Sequence, residues 1–351
     1  MPFFYIKTYG CQMNVADSEK LAGVLQTAGY QATEDPWQTN IILINTCVVR
    51  QTAEDKAAWY ITSAKGYKNE RPGTKIILCG CFVSEPGRDV RKQFPHVDLF
   101  IEPNQPEKLA EFLGTPNSEL RTRNLGRSAW VTIMRGCDNF CSYCIVPYVR
   151  GREHSRPIGE ILAEIKQIDL NKYEELFLLG QNVNSYQPNF ADLLRQINAH
   201  IARYSLPVTV KFMTSHPRDM SDEIINTICE LPHVAKEFYM PIQHGDDEIL
   251  KSMNRGYTVD YYRQLVKKIR LKMPAAKILT DMIVGYPGET EIQFQNTLNL
   301  IKEIKFNEVR MAAFSPRPQT AAAKLPNQLP DDIKQARLQQ IIQVVRQVVK
   351  C

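Results

Sequence analysis

No run of apolar residues in this chain approaches the roughly 20 that a membrane-spanning helix needs, which excludes a helical membrane span. Residues 1–9 contain one lysine and then a strand-like pattern, without the regions of a targeting peptide, so cytoplasmic residence is expected. The formal net charge is only +5, modest for a nucleic-acid binder. Histidine is scarce: six residues lie scattered, and a solitary histidine is more often a satisfied structural group than a metal ligand. Zinc is disfavoured on spacing, because its sites use two pairs of close ligands and no second pair follows the cysteines at 137, 141 and 144.

What the chain does contain is Cys137-Asp138-Asn139-Phe140-Cys141-Ser142-Tyr143-Cys144, three thiols at spacings of four and three. Three thiolates suit an iron–sulfur cluster bound through three irons, with the fourth iron open to a ligand and therefore a site of reaction. The other cysteines are Cys11, Cys47, Cys79, Cys81, Cys229 and Cys351. In a reducing compartment they read as metal ligands, buried hydrophobes or reactive thiols rather than disulfides. Charge gathers around the motif. From Arg121 to Arg156 there are seven arginines and no lysine, against only Asp138 and Glu153 as acids. Planar guanidinium groups bind phosphate or carboxylate bidentately, so this window reads as an anion-binding region in preference to a solvated linker.

At 351 residues, with 44% of them hydrophobic, the chain is long enough for two or three domains. Short apolar runs at 3–9, 41–45, 75–79 and 97–101 predict buried parallel strands, and 17–28, 51–67 and 85–94 carry helical spacing between them. That alternation predicts an α/β fold that starts with an open, doubly wound parallel sheet over 1–115. Cys11, Cys47 and Cys81 follow its first three strands within two or three residues. Parallel strands end on one edge, so these thiols are predicted to meet there as a second cluster site. The alternative is three unrelated buried thiols. Cys79 points to the opposite face from its neighbours and reads as core. A segment of Thr, Pro, Asn, Ser and Gly predicts a linker at 116–128. Six further strand-like runs (130–134, 176–179, 208–213, 237–241, 278–284 and 309–314) alternate with helices such as 158–170 and 258–272. They predict an incomplete (β/α)6 barrel over 129–351, closed by a last helix at 331–350. Polar residues again follow the strands, at the rim where such barrels carry their sites.

The cysteine spacing resembles that of the radical SAM superfamily, and longer strings narrow the likeness. Thr8-Tyr9-Gly10-Cys11-Gln12-Met13-Asn14, Asn45-Thr46-Cys47 and Gly80-Cys81 resemble the methylthiotransferases, which modify tRNA adenosines or a ribosomal protein. So do Ile145-Val146-Pro147-Tyr148 with Arg150-Gly151, Thr214-Ser215-His216-Pro217 and Gly285-Tyr286-Pro287-Gly288-Glu289-Thr290, in the same order over nearly the whole chain. Leu179-Gly180-Gln181-Asn182-Val183-Asn184-Ser185-Tyr186 is similar to the MiaB-type subgroup, which methylthiolates C2 of N6-isopentenyl-adenosine beside the tRNA anticodon. A relative acting on threonylcarbamoyl-adenosine or a ribosomal protein is the alternative, as is a truncated iron–sulfur protein that binds RNA without turnover. Two features depart from the family pattern. The chain stops at Cys351 without the small C-terminal β domain called TRAM, and Gln243-His244-Gly245-Asp246 stands where the family usually has Gln-Ser-Gly-Ser.

The resemblance implies two [4Fe-4S] clusters and S-adenosyl-L-methionine. Cys137, Cys141 and Cys144 would hold the cluster whose open iron takes S-adenosylmethionine, and Cys11, Cys47 and Cys81 an auxiliary cluster that delivers sulfur. Tyr143 would lie against the cofactor adenine, with packing as its other reading. Arg150, Arg152 and Arg156 would meet the cofactor carboxylate or tRNA phosphates, with Arg152 assigned to the cofactor. Gln181, Ser215 and Gln243 occupy rim positions suited to hydrogen-bonding the cofactor, although ordinary loop roles are open to each. Phe140 would stack a splayed base, whereas Trp130 begins a strand and fits barrel packing. No general acid, base or nucleophile is assigned. The expected partners are tRNA and a reduced electron donor of the flavodoxin or ferredoxin type, with no membrane, and the expected state is a monomer.

Overall fold

The computed structural model describes residues 1–49, 51–103, 105–115 and 127–349. The chain divides into two compact units, Met1–Gly126 with Ile145–Arg152 and Arg127–Cys144 with Glu153–Cys351. The linker expected at 116–128 lies outside the described residues apart from its last two, as do Arg121, Arg123 and Cys351.

In the first unit, β1 (Phe3–Thr8), β2 (Gln31–Ala32), β3 (Ile41–Thr46), β4 (Lys75–Gly80) and β5 (Leu99–Ile101) form one parallel sheet in the order β2-β1-β3-β4-β5. Helices α1 (Gln12–Thr27), α2 (Gln51–Ser63), α3 (Lys65–Glu70), α4 (Val90–Gln93) and α5 (Glu107–Leu113) complete the alternation. Every residue of β3 is buried, as a sheet covered on both faces requires. Ile42, Ile44, Ile76 and Leu78 pack on one side, and Leu43, Ile77 and Cys79 on the other, so Cys79 is a core residue. Edge strand β2 departs from the sequence pattern; both its residues are exposed and carry no apolar alternation. The helix expected over 85–94 shortens to α4, because Pro86 and Gly87 (φ 81°) hold the chain in turns. A sixth helix, α6 (Val146–Arg150), packs with this unit although its sequence directly follows the Cys137–Cys144 motif. Ile145 and Val149 bury themselves in the core on the Ile42 face.

The second unit contains β6 (Ser128–Thr132), β7 (Met134–Arg135), β8 (His154–Ser155), β9 (Glu175–Leu179), β10 (Thr209–Phe212), β11 (Glu237–Tyr239), β12 (Lys277–Val284) and β13 (Glu308–Ala313). Six of these are the barrel strands predicted from sequence. They form two three-stranded parallel sheets, β6-β9-β10 and β11-β12-β13, joined by a single parallel bridge between Val210 and Val234. Strand β11 is only three residues long and pairs with β12 alone. Helices α7 (Ile158–Gln167), α8 (Phe190–Arg203), α9 (Asp222–Glu230), α10 (Asp247–Ser252), α11 (Val259–Lys272), α12 (Glu291–Ile304) and α13 (Asp331–Val348) alternate with or follow the strands. Asn189, Ser221, Thr258 and Thr290 cap α8, α9, α11 and α12 with their side chains. The core is built from strand residues such as Val131, Leu178, Val210, Phe238 and Ile278 against helix residues such as Ile161, Leu194, Ile225 and Ile301. Strands β7 and β8 form a short antiparallel pair, Met134 opposite Ser155 and Arg135 opposite His154, that closes the base of the segment bearing the cysteine motif.

Candidate active site

Cys11 caps α1 just after β1, Cys47 follows β3 and Cys81 follows β4. Three adjacent strands thus deliver three thiols to one edge of the sheet. Burial pushes the Cys47 thiol up to about 12, and the nearby Cys81 and Cys11 push in the same direction. A thiol raised in this way is protonated at neutral pH, so iron bound to Cys47 would have to displace that proton. Two glycines let the backbone pack closely at this edge. At Gly10 (φ 125°) an added Cβ would fall 2.4 Å from Cβ of Cys47, and at Gly80 (φ 93°) one would fall 2.4 Å from the Thr46 carbonyl oxygen. Fully buried Asn14 accepts from the Cys11 backbone N–H and Sγ, each at 3.3 Å. Its amide donates to Asn45 Oδ1 at 3.1 Å and to the Thr46 carbonyl at 3.0 Å. Arg150, reaching in from α6, pairs with Asp17 at 3.2 Å and is hydrogen-bonded to Cys81. This corrects the expectation that Arg150 meets a cofactor carboxylate or a phosphate. Arg156 is also committed internally, donating to the Thr132 carbonyl and to Glu164, each at 2.6 Å.

The second thiol set is gripped by the turn that follows α10. Ser142 N–H donates to the Met253 carbonyl at 3.0 Å, and Ser142 Oγ donates to the Ser252 carbonyl at 2.8 Å. Asn254 donates to the carbonyls of Asn139 and Phe140, both at 3.1 Å. Arg255, only 4% exposed, donates to Cys141 Sγ at 3.2 Å and to Tyr143 Oη at 3.4 Å. Its other nitrogens reach Tyr257 Oη at 2.9 Å and the Pro241 carbonyl at 2.6 Å. Cys141 is buried, while Cys137 and Cys144 are half-buried. Burial raises the Cys137 thiol too. Tyr143 packs against a cluster that includes Ile249, Met253 and Tyr286. The segment 252–257 was not singled out from the sequence. Its available signal is Asn254-Arg255-Gly256 directly after a helix, with Asn254 (φ 57°) and Gly256 (φ 70°) both in the left-handed region.

Gln181 follows β9, Ser215 follows β10 and Gln243 follows β11, all at the carboxyl ends of barrel strands. Gln181 Oε1, Ser215 Oγ and His216 Nε2 are buried with no hydrogen-bond partner among the described residues. Buried polar atoms are rarely left so, and three of them at one rim suit a polar ligand. Burial pushes His216 down to about 2, so its imidazole is neutral. His216 Nδ1 accepts from the Arg218 N–H at 3.3 Å, which assigns the proton to the orphaned Nε2. The loops brace one another: Asn182 and Asn184 both accept from the His216 N–H at 2.9 Å. Gln243 (φ 79°) and Thr214 (φ 71°) hold left-handed conformations unusual outside glycine, as residues at functional sites often do. Gln243 is pinned to β12 through its main chain, accepting from Ile283 at 2.9 Å and donating to Asp281 at 3.0 Å. Arg152 belongs to the first unit and is exposed. Trp130 packs on Phe177 with ring centroids 5.0 Å apart, in line with its barrel-packing role.

The two residues that depart from the family pattern face inward. His244, fully buried, shares a 2.8 Å hydrogen bond with Glu289, and Asp246 caps α10 while taking Gln293 at 3.2 Å and Asn296 at 2.9 Å. Among the described residues no three His, Cys, Asp or Glu side chains close around a single ion. A [4Fe-4S] cluster held through three irons takes one thiolate on each of the three, so three thiols that stand near one another without closing around a single ion fit it.

Residues 3–102 match the family described as the uncharacterized protein family UPF0004, and residues 131–301 match the Radical SAM superfamily. A tRNA-2-methylthio-N(6)-dimethylallyladenosine synthase of Clostridium novyi (strain NT) is 41% identical, over 99% of this chain and 81% of that protein. The protein of the same name from Syntrophotalea carbinolica is 37% identical over 100% of this chain and 85% of its own length. Among solved structures, the radical S-adenosylmethionine methyltransferase TsrM of Kitasatospora setae superposes with a TM-score of 0.70 at 12% identity, covering 92% of this chain and 75% of that one. The cobalamin-dependent S-adenosylmethionine radical enzyme OxsB superposes with a TM-score of 0.59 at 10% identity, over 99% of this chain and 56% of that one. At such identities these two likenesses establish the fold alone.

Proposed function

The chain belongs to the tRNA-2-methylthio-N(6)-dimethylallyladenosine synthase family, and on that basis we propose that it adds a methylthio group to C2 of N6-isopentenyl-adenosine beside the tRNA anticodon. C2 of adenine carries neither a leaving group nor an acidic hydrogen, so acid–base catalysis cannot exchange that hydrogen for sulfur and a cofactor must provide radical chemistry. A [4Fe-4S] cluster with S-adenosylmethionine, when bound, supplies a carbon radical able to remove it.

Cys137, Cys141 and Cys144 would hold that cluster through three irons. Ser142 fixes the loop between two of them, since its N–H and hydroxyl are both spent on the turn after α10. His216 offers a neutral N–H, and Ser215 and Gln181 offer an unfilled hydroxyl and carbonyl, to the polar groups of S-adenosylmethionine. Gln243 would add a rim contact, Tyr143 an aromatic surface, and Arg152 an exposed cation for a carboxylate or phosphate. Cys11, Cys47 and Cys81 would carry the second cluster and deliver sulfur, with Gly10 and Gly80 allowing the close approach of the segments that bear them. The first unit is thereby assigned to sulfur delivery and the second to hydrogen removal. A reduced flavodoxin- or ferredoxin-type protein would donate electrons to a monomeric enzyme. No described helix is long and apolar enough to cross a membrane.

The observation that carries this proposal is the occurrence of two three-thiol sets, one at the carboxyl ends of three parallel strands and the other in the single loop that follows β7. The test is mass spectrometry of tRNA nucleosides from a strain lacking this protein and any redundant enzyme. Loss of 2-methylthio-N6-isopentenyl-adenosine, with the isopentenyl precursor accumulating, is expected; an unchanged level of the methylthiolated nucleoside rejects the proposal.

A further inference from the structure

Both thiol sets have a buried arginine on one sulfur, and the two arginines differ in one respect. Arg150, at Cys81, is paired with the Asp17 carboxylate at 3.2 Å. Arg255, at Cys141, has only neutral oxygens and the sulfur as partners: Tyr143, Tyr257 and the Pro241 carbonyl. Among the described residues no carboxylate pairs with it, and its guanidinium lies 5.3 Å from the centroid of the Tyr257 ring. A guanidinium cannot shed its proton in a protein, so this is a permanent positive charge, 4% exposed, donating to a predicted cluster ligand at 3.2 Å.

From this geometry we propose that Arg255 sets the reduction potential of the cluster held by Cys137, Cys141 and Cys144, raising it through an uncompensated charge hydrogen-bonded to Cys141 Sγ. The inference rests on the cluster reading above. Reduction adds one electron to the cluster, and a cation beside a ligand sulfur favours the more negative state. In a poorly solvated interior that effect is larger than in water. The electron comes from the reduced donor protein, or from dithionite in a titration, and no bond to Arg255 forms or breaks. Charge offset by Asp17 leaves Arg150 with a weaker pull on its own set, so the two clusters are expected to differ in potential, with the one beside Arg255 more easily reduced. Arg255 acts here as a positioning and tuning residue, placed by the left-handed turn at Asn254 and Gly256.

The test uses the full chain, reconstituted anaerobically with iron and sulfide, titrated with dithionite and followed by electron paramagnetic resonance. The signal of this cluster is the one that a Cys141→Ala chain lacks. Arg255→Met is expected to lower its midpoint by about 59 mV or more, a tenfold fall in the one-electron reduction constant. Arg255→Lys keeps the charge and recovers most of the shift. A merely structural arginine would change the iron content and leave the midpoint of the remaining clusters in place. An unchanged midpoint in an Arg255→Met chain with full iron overturns the inference. Should Arg255→Met fail to hold iron, Arg255→Gln, which retains N–H donors without the charge, carries the same expected fall and the same overturning result. A parent chain with no signal dependent on Cys141 defeats the cluster reading itself, and the inference with it.

Discussion

His216 is the residue whose role changes most between sequence and structure. In the sequence it is one of six scattered histidines; in the fold it is 5% exposed and its Nε2 has no partner among the described residues. Its native value of about 2 lies below the 6.5 of an unperturbed imidazole, mainly through burial. The unfolded chain therefore takes up this proton first as pH falls. The contribution to stability is complete above about pH 6.5 and declines below it by about 1.4 kcal/mol per pH unit, until the native group itself protonates. In the iron-free chain the His216 ring resonances should not titrate between about pH 8 and pH 5, and His216→Gln should remove that part of the acid sensitivity. A ring that titrates near the ordinary value would show a solvated imidazole instead. Gly10 offers a second test at this scale. A methyl group there meets Cys47 Cβ at 2.4 Å and the backbone holds φ 125°, so Gly10→Ala should lose about half the bound iron, counted chemically after reconstitution, and keep the Cys141-dependent signal.

At the scale of elements, strand–helix alternation was legible because apolar runs and capping residues are local. The turn after α10, the antiparallel β7–β8 pair and the two-residue β2 were not, since each is defined by its partner and carries no periodic pattern of its own. The C-terminal helix was legible at 331–350, but what it packs against was not. Arg337 of α13 donates to Glu289 Oε2 at 2.7 Å and to the Glu289 carbonyl at 3.0 Å, while Glu289 Oε1 meets His244 at 2.8 Å. This buried lock ties α13 to the Gly285–Thr290 loop. Glu289→Ala leaves the buried Arg337 charge with only the exposed Glu291 carboxylate at 3.4 Å and should cost about 3–5 kcal/mol. Asp246→Ala removes a helix cap and should cost about 1 kcal/mol. Urea unfolding of the two variants beside the parent checks the ranking, and a larger loss for Asp246→Ala would contradict the lock.

For the whole molecule, the two thiol sets belong to separately packed units. Replacing Cys137, Cys141 and Cys144 together by alanine should therefore remove about half the iron, and replacing Cys11, Cys47 and Cys81 together the other half. Iron and sulfide counts on each reconstituted chain check this; a first variant that keeps all its iron, or loses all of it, contradicts two independent clusters. Either triple variant should be unable to make the methylthiolated nucleoside.

The sequence by itself determined the α/β architecture, the two cysteine sets and the family likeness. These rest on local spacing: period-two and helical apolar patterns, strand ends, and thiols a few residues apart. Only the tertiary structure decided which arginine serves which thiol. Arg150 stands six residues after Cys144 yet bonds to Cys81, and Arg255, more than a hundred residues from the motif, reaches Cys141. The physical reason is that buried charges and orphaned polar atoms are properties of an environment assembled from distant segments. Desolvation and pairing arise only when the chain has closed around them.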